Sequence, residues 1–200
     1  ENKQGKISNL GVDGASVTGT TYAGVIAGQL YGTMEKCWSS GSVKVSGTGA
    51  EAGGGLVGIA IDGSTISNCY STATVTAPLA GGVVGCLNGT FSYCYATGKV
   101  TSNGTPSSGS GAAGGICGKL NTSTDVTIKN NFALNKEGIV AQESGSVGRI
   151  IGNVSAGGTI TYTDNYASVL IAGDWSETDI NGKLCTFDKL ILLSQDNTAF

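Results

Sequence analysis

The chain contains no histidine. That absence excludes histidine-based triads and dyads, the HExxH zinc site and most catalytic metal centres. Charge is scarce too: charged residues make up 12% of the chain and the net charge is -3. A weakly acidic surface of this kind attracts phosphate backbones poorly, so no nucleic-acid partner is expected. Proline occurs only twice beside 34 glycines, which rules out a collagen-like Gly-X-Y chain. No uninterrupted apolar run approaches the roughly 20 residues of a membrane-spanning helix, and no membrane insertion is expected. There is no CxxC pair, so a zinc ribbon or thioredoxin-type motif has nothing to rest on. Capped helical periodicity is missing throughout.

What is abundant is one phrase, written repeatedly. Gly54-Gly55-Leu56-Val57-Gly58 leads to Asn68-Cys69-Tyr70, and Gly81-Gly82-Val83-Val84-Gly85 leads to Tyr93-Cys94-Tyr95. Looser copies start at Gly24, Gly114 and Gly148, and Ile7, Leu10 and Val12 belong to a partial first unit. The closing glycine of each anchor falls at 28, 58, 85, 118 and 152, giving spacings of 30, 27, 33 and 34. The variation sits in Gly/Ser/Thr-rich insertions at 46–53, 102–113 and 134–147. A fixed phrase with elastic linkers is the mark of a solenoid. The words are short, rich in Val, Ile, Thr and Tyr, and interrupted by glycine, so each unit is β. The fold class expected is all-β: a parallel β-helix (β-solenoid) of about five coils, right-handed by the crossover rule, with a C-terminal cap. Its strands stack about 4.8 Å apart, for a prism on the order of 25 Å long. Glycines are expected to supply positive φ at corners and close backbone approach within the anchors.

Aligning the units makes columns. Cys37, Cys69, Cys94, Asn131 and Asn165 share one; Trp38, Tyr70, Tyr95, Phe132 and Tyr166 the next; Ser39, Ser71, Ala96, Ala133 and Ala167 a third. The small residues are assigned to the interior, which turns the aromatic column outward. That column is the candidate binding site, with two readings open: a ladder packed for stability, or a platform for sugar rings or a partner's apolar residues. The cysteines in the first column are expected as small apolar fillers, and no obligatory disulfide is expected among the six. No catalytic residue, cofactor site or metal site is assigned. Asp62, Asp125 and Asp164 fall at different offsets in their repeats, so no carboxylate pair emerges. Two matches to GxGxxG, at 53–58 and 109–114, fall at repeat boundaries rather than between a strand and a helix, and four Asn-x-Ser/Thr sequons read as turn chemistry. Threonine triplets at 72, 74, 76 and 159, 161, 163 suggest an ice-binding face, but they do not recur on every unit.

The words Gly54-Gly55-Leu56-Val57-Gly58, Asn68-Cys69-Tyr70-Ser71-Thr72 and Tyr95-Ala96-Thr97-Gly98-Lys99-Val100 resemble the GLUG motif, and Ile7 to Val12 is similar to the segment that commonly precedes such arrays. The resemblance spans about residues 5–172, fading where Asn replaces Cys and Arg149 interrupts the double glycine. It implies a place in a large exported bacterial protein, of the kind represented by haemagglutinin-like adhesins, surface proteins of gut bacteria and the non-catalytic region of IgA-cleaving metallopeptidases. It carries over no catalytic residue. The expectation is therefore a GLUG-type solenoid over 1–172, followed over 173–200 by a cap or the lead-in to a further domain. The chain reads as a mature or excised fragment of a secreted or cell-surface protein. Its expected function is a non-enzymatic structural or adhesive module binding glycan or protein through the aromatic stripe or the 102–113 insertion. The alternative is a β-helical carbohydrate-active enzyme, a polysaccharide lyase or hydrolase.

Overall fold

A computed structural model describes residues 5–47, 49–105, 111–142, 145–173, 175–176 and 179–186. Within them the chain winds through about five coils, and every strand pairing is parallel. The second coil shows the plan. Ala52–Gly54 lies in a short sheet, Val57–Ser67 in a long one, and Tyr70–Ser71 with Thr74–Ala77 in a third, before Leu79–Gly81 returns to the short sheet. Equivalent strands of successive coils stack into three sheets of five, eight and ten strands. The described residues include no helix, hence none long and apolar enough to cross a membrane.

The interior is a set of apolar columns running along the axis. Met34 pairs with Ile66 and Ile66 with Phe91, Ile128 follows on the next coil, and none of the four is exposed. Leu30, Ala60, Leu87 and Leu120 make a second column, and Val43, Val75, Val100 and Ile139 a third. At about 1.5–3 kcal/mol for each large aliphatic or aromatic side chain removed from water, these columns are the main opposition to the chain entropy of so many glycines.

The anchor glycines are spaced for contact. A Cβ on Gly54, Gly81, Gly114 or Gly148 would stand 1.9–2.1 Å from the carbonyl oxygen three residues ahead. A Cβ on Gly58, Gly85, Gly118 or Gly152 would lie 2.5–2.6 Å from backbone atoms of a neighbouring strand. None of these anchor glycines has positive φ, in keeping with the contact role expected of them; positive φ falls to other glycines, among them Gly14, Gly41, Gly63 and Gly138. One recurring left-handed corner is made without glycine, by Asn9, Lys36, Asn68, Tyr93, Asn130 and Asp164, at φ between 49 and 56, each directly before the Cys/Asn column or its first-coil equivalent, Leu10. Asn and Asp tolerate that conformation because their short polar side chains can bond locally; Lys and Tyr do not share the advantage.

The last coil is abbreviated. The amides of Ile150 and Ile151 donate to Ile180 O, the contact that each coil makes with the next, so Ile180 stands at a sixth anchor. Only three residues later Lys183 pairs with Tyr166. The long sheet is skipped, and Asn181-Gly182 runs against Ile150 and Asn165 across the end of the core. Arg149, where earlier coils carry Gly55, Gly82 and Gly115, is wholly buried beneath this crossing. It donates from Nη2 to Gly182 O at 2.9 Å, while its amide donates to Asn181 Oδ1. Within the expected cap, Phe187 and the apolar run at 190–193 lie outside the described residues.

Candidate binding surface

The aromatic column is in register: Trp38 pairs with Tyr70, Tyr70 with Tyr95, Tyr95 with Phe132 and Phe132 with Tyr166. The alternation is as expected, since Cys37 and Ser39, on either side of Trp38, are buried. Trp38 and Tyr70 stack with centroids 5.9 Å apart and planes 7° from parallel; Tyr70 and Tyr95 stack at 4.6 Å and 3°. Phe132 and Tyr166 stack at 5.3 Å. The ring faces are therefore turned along the solenoid axis onto one another, and ring edges and phenol groups look outward.

The column is closed at both ends. Below Trp38 stands Gly11, whose missing side chain leaves room for the indole: a Cβ there would be 2.2 Å from Nε1. Beyond Tyr166 stands Lys183, its ammonium 5.7 Å from the ring centre and 2.9 Å from Asp164 Oδ1. Only the first three rings are partly exposed. Phe132 and Tyr166 are buried, in a cluster with Cys185 and against Leu134. Burial pushes the Tyr95 phenol above its ordinary pKa, with the adjacent Tyr70 adding to the effect. The hydroxyls of Tyr70, Tyr93 and Tyr95 bond to no described residue.

Behind the rings, the Cys/Asn column is more than apolar filling. Cys69 Sγ donates to Ser67 O at 3.1 Å and approaches Met34 O on the previous coil at 3.8 Å; the Cys37 amide donates to Cys69 Sγ at 3.4 Å. Cys94 repeats the pattern with Ser92 O and Ile66 O. The asparagines keep both roles with better groups. Asn131 Oδ1 accepts the Cys94 amide at 3.0 Å, Asn165 Oδ1 accepts Asn131 Nδ2 at 2.8 Å, and Asn165 Nδ2 donates to Ile128 O at 2.8 Å. Thiol and amide thus hold one hydrogen-bonded column, and the change from Cys to Asn is an equivalence rather than decay. All six cysteines are free and buried. Burial raises the Cys69 thiol to about 12, and the Cys94 and Cys117 thiols are pushed up for the same reason.

Three further surfaces were not visible as such in the sequence. Tyr93, at the left-handed corner, forms with Asn68, Cys69, Tyr70 and Tyr95 a notch of about 180 Å³. A small cleft of about 110 Å³ collects Tyr162, Asp164, Asp179 and Lys183, which sequence offsets did not bring together. The outer face of the long sheet carries Thr33, Thr65, Thr90 and, on the following coils, Thr127 and Thr161 in one column. Threonine therefore does recur on successive coils, though in a different set from the triplets the sequence suggested. The column beside it contains Glu35, Ser67, Ser92, Lys129 and Thr163, so the face is not uniform. Within the 102–113 insertion, residues 106–110 lie outside the described residues, as does the side chain of Asp62. Among the described residues no group of three His, Cys, Asp or Glu side chains could hold a metal ion.

Comparison with known proteins finds the same architecture. A crystal structure of a candidate immunoglobulin A1 protease from Bacteroides ovatus superposes with a TM-score of 0.76 at 27% identity, covering 98% of this chain and 67% of that one. No curated protein matches. The family model of the GLUG motif matches residues 49–76 and 77–101, the two coils that carry the Tyr70 and Tyr95 rungs. The second and third coils of this solenoid are GLUG repeats.

Proposed function

We propose that this chain is a non-enzymatic structural and adhesive module of a secreted or surface-displayed bacterial protein, in which Trp38, Tyr70 and Tyr95 contact a glycan or protein. The observation that carries the reading is the stacked strip itself. Three partly exposed rings stand in register and stacked, two of them with phenol groups that bond to no described residue. Rigid amphipathic side chains of this kind supply contact area at low entropic cost. Phe132 and Tyr166 continue the column but are covered, and in this reading they support the strip instead of touching a ligand. The proposed cap or lead-in at 173–200 draws its support from Asn181-Gly182, which lies over Arg149. A name that mentions proteolysis, as the Bacteroides ovatus protein carries, is compatible with a non-catalytic region in a longer enzyme. The test is a glycan array and a pull-down of surface proteins with wild type and the Tyr70→Ala/Tyr95→Ala variant. Loss of signal in the variant is expected; equal signals would remove the strip from the proposal.

A second reading, a carbohydrate-active enzyme, draws on one observation: Asp164 and Asp179 line a common cleft with Lys183 and Tyr162. Paired carboxylates are the basic equipment of glycoside hydrolysis. Under this reading the wild type shortens a polysaccharide and Asp164→Asn and Asp179→Asn do not. Viscometry on a panel of acidic and neutral polysaccharides decides it.

A further inference from the structure

We infer that Tyr93 is an additional ligand-contacting residue and that the notch it forms with Tyr70 and Tyr95 takes a single pyranose ring. This deepens the glycan-binding reading and rests on it. The first observation is conformational. Tyr93 has φ 54 at a corner where three of the equivalent positions are Asn and one is Asp. A bulky aromatic residue is a poor choice there on backbone grounds, and strain of that kind persists where something else is gained. The second is geometric. The Tyr93 ring is held from the coil above, where Lys129 Nζ lies 5.8 Å from its centre. The notch lies between Tyr93 and Tyr95 on one coil and Asn68, Cys69 and Tyr70 on the coil below, with a volume of about 180 Å³.

The third observation is chemical. The faces of Tyr70 and Tyr95 are occupied by each other, so the ladder alone offers a sugar only edges and hydroxyls. Tyr93 is not part of that stack. It supplies the ring surface that the strip lacks, against which the C–H face of a pyranose can lie. The phenol groups of Tyr70 and Tyr95, which bond to no described residue, meet the sugar's hydroxyl rim. An apolar wall with a few convergent polar groups is the usual make-up of a small-ligand site. Lys129 acts as a positioning residue for the ring through its cation–π contact.

The test separates binding from folding because the two respond in opposite directions. Tyr93→Asn installs the residue used at three sister corners, so its Tm is expected to hold or rise, by up to about 2–4 °C. Its affinity for the saccharide selected by wild type on the array is expected to fall about tenfold or more by isothermal titration. Tyr93→Phe keeps the ring face and is expected to retain most of the binding. Undiminished binding by Tyr93→Asn while Tyr70→Ala/Tyr95→Ala loses it overturns this inference and leaves the proposed function standing. A lower Tm for Tyr93→Asn with full binding assigns Tyr93 to packing and also overturns it. Absence of any glycan binding by wild type overturns this inference together with the glycan reading on which it rests.

Discussion

Replacing Gly85 with alanine adds one methyl group, and the structure says where it must go. The new Cβ would stand 2.6 Å from the amide nitrogen of Gly53 and 2.7 Å from the carbonyl oxygens of Gly53 and Gly58. All three are backbone atoms of a neighbouring coil, so no side chain can swing aside to make room. Relief requires the coils to part, which sacrifices ladder hydrogen bonds worth about 1 kcal/mol each in addition to the 1–3 kcal/mol typical of overpacking. Against this stands a gain of about 0.4–1 kcal/mol, because alanine has fewer unfolded conformations than glycine. The net expectation is a loss of about 2 kcal/mol or more. Two other glycines calibrate it. At Gly28, in the first full coil, the closest atom is Tyr22 O at 3.1 Å, so Gly28→Ala is expected to cost clearly less. At Gly157 nothing comes nearer than 3.7 Å and φ lies outside the left-handed region, so Gly157→Ala is expected to stabilise by about 0.4–1 kcal/mol. Urea titrations followed by circular dichroism, compared at constant m, give the order. If Gly85→Ala is no worse than Gly28→Ala, close coil-to-coil approach is not what the anchor glycines are for.

Three other outcomes follow from the same architecture. Lys36→Asn should stabilise by roughly 0.5–1 kcal/mol, since Lys36 is exposed at φ 52 and asparagine tolerates that corner; a lower urea midpoint would refute the corner account. Asn131→Leu strands the buried Cys94 amide and should cost about 1–3 kcal/mol, whereas Asn131→Cys, which restores the thiol of the sister coils, should cost less; equal losses would mean that the column is only packing. The thiols set an alkaline limit. Cys69 keeps its proton in the folded state up to about 12 against an ordinary value of 9.0. An unfolded thiol releases its proton earlier, so this contribution is complete below pH 9 and is lost as pH rises toward 12. Thermal melts between pH 8 and 11 should show falling Tm, and Ellman's reagent at pH 8 should find few reactive thiols before denaturation and six after it; rapid titration of the native protein would contradict the burial.

The fold was legible because a parallel solenoid writes its pairing into the chain as repetition. Trp38, Tyr70 and Tyr95 can be aligned by eye, and the stacking of coils converts that alignment directly into contact. What repetition hides is the reason for each letter. Cysteine and asparagine look like different chemistry in a sequence column, yet Cys69 Sγ and Asn165 Nδ2 reach equivalent carbonyls, at Met34 and Ile128. Glycine serves some corners, such as Gly14 and Gly63, yet the corner before the Cys/Asn column belongs to Asn68 and Tyr93, while the anchor glycines serve contact. Arg149 looks like a fault in the repeat. It marks the coil at which there is no further glycine to accommodate, and its length fills the space under the shortened sixth coil.

The candidate site was legible only as far as the columns were. The stripe follows from parity, but the direction its rings face does not, because side-chain torsions are set by neighbours along the axis and leave no mark in the alignment. The orientation changes the chemistry: rings stacked on one another give a ligand their edges, and an added ring is needed to give it a face. Tyr93 had a signal of its own, as the aromatic residue at a position otherwise filled by Asn, Asp and Lys. That position became readable only once the corner was known to be left-handed. The same conformation makes Lys36 a site for stabilisation and Tyr93 the proposed ligand contact, and the two are separated by what each side chain touches. Lys36 is exposed, whereas Tyr93 borders a notch and holds a cation above it. A survey of substitutions at all six corners, scored for both stability and glycan binding, would therefore place Tyr93 alone among them as the corner where a more favourable backbone residue brings a loss of affinity.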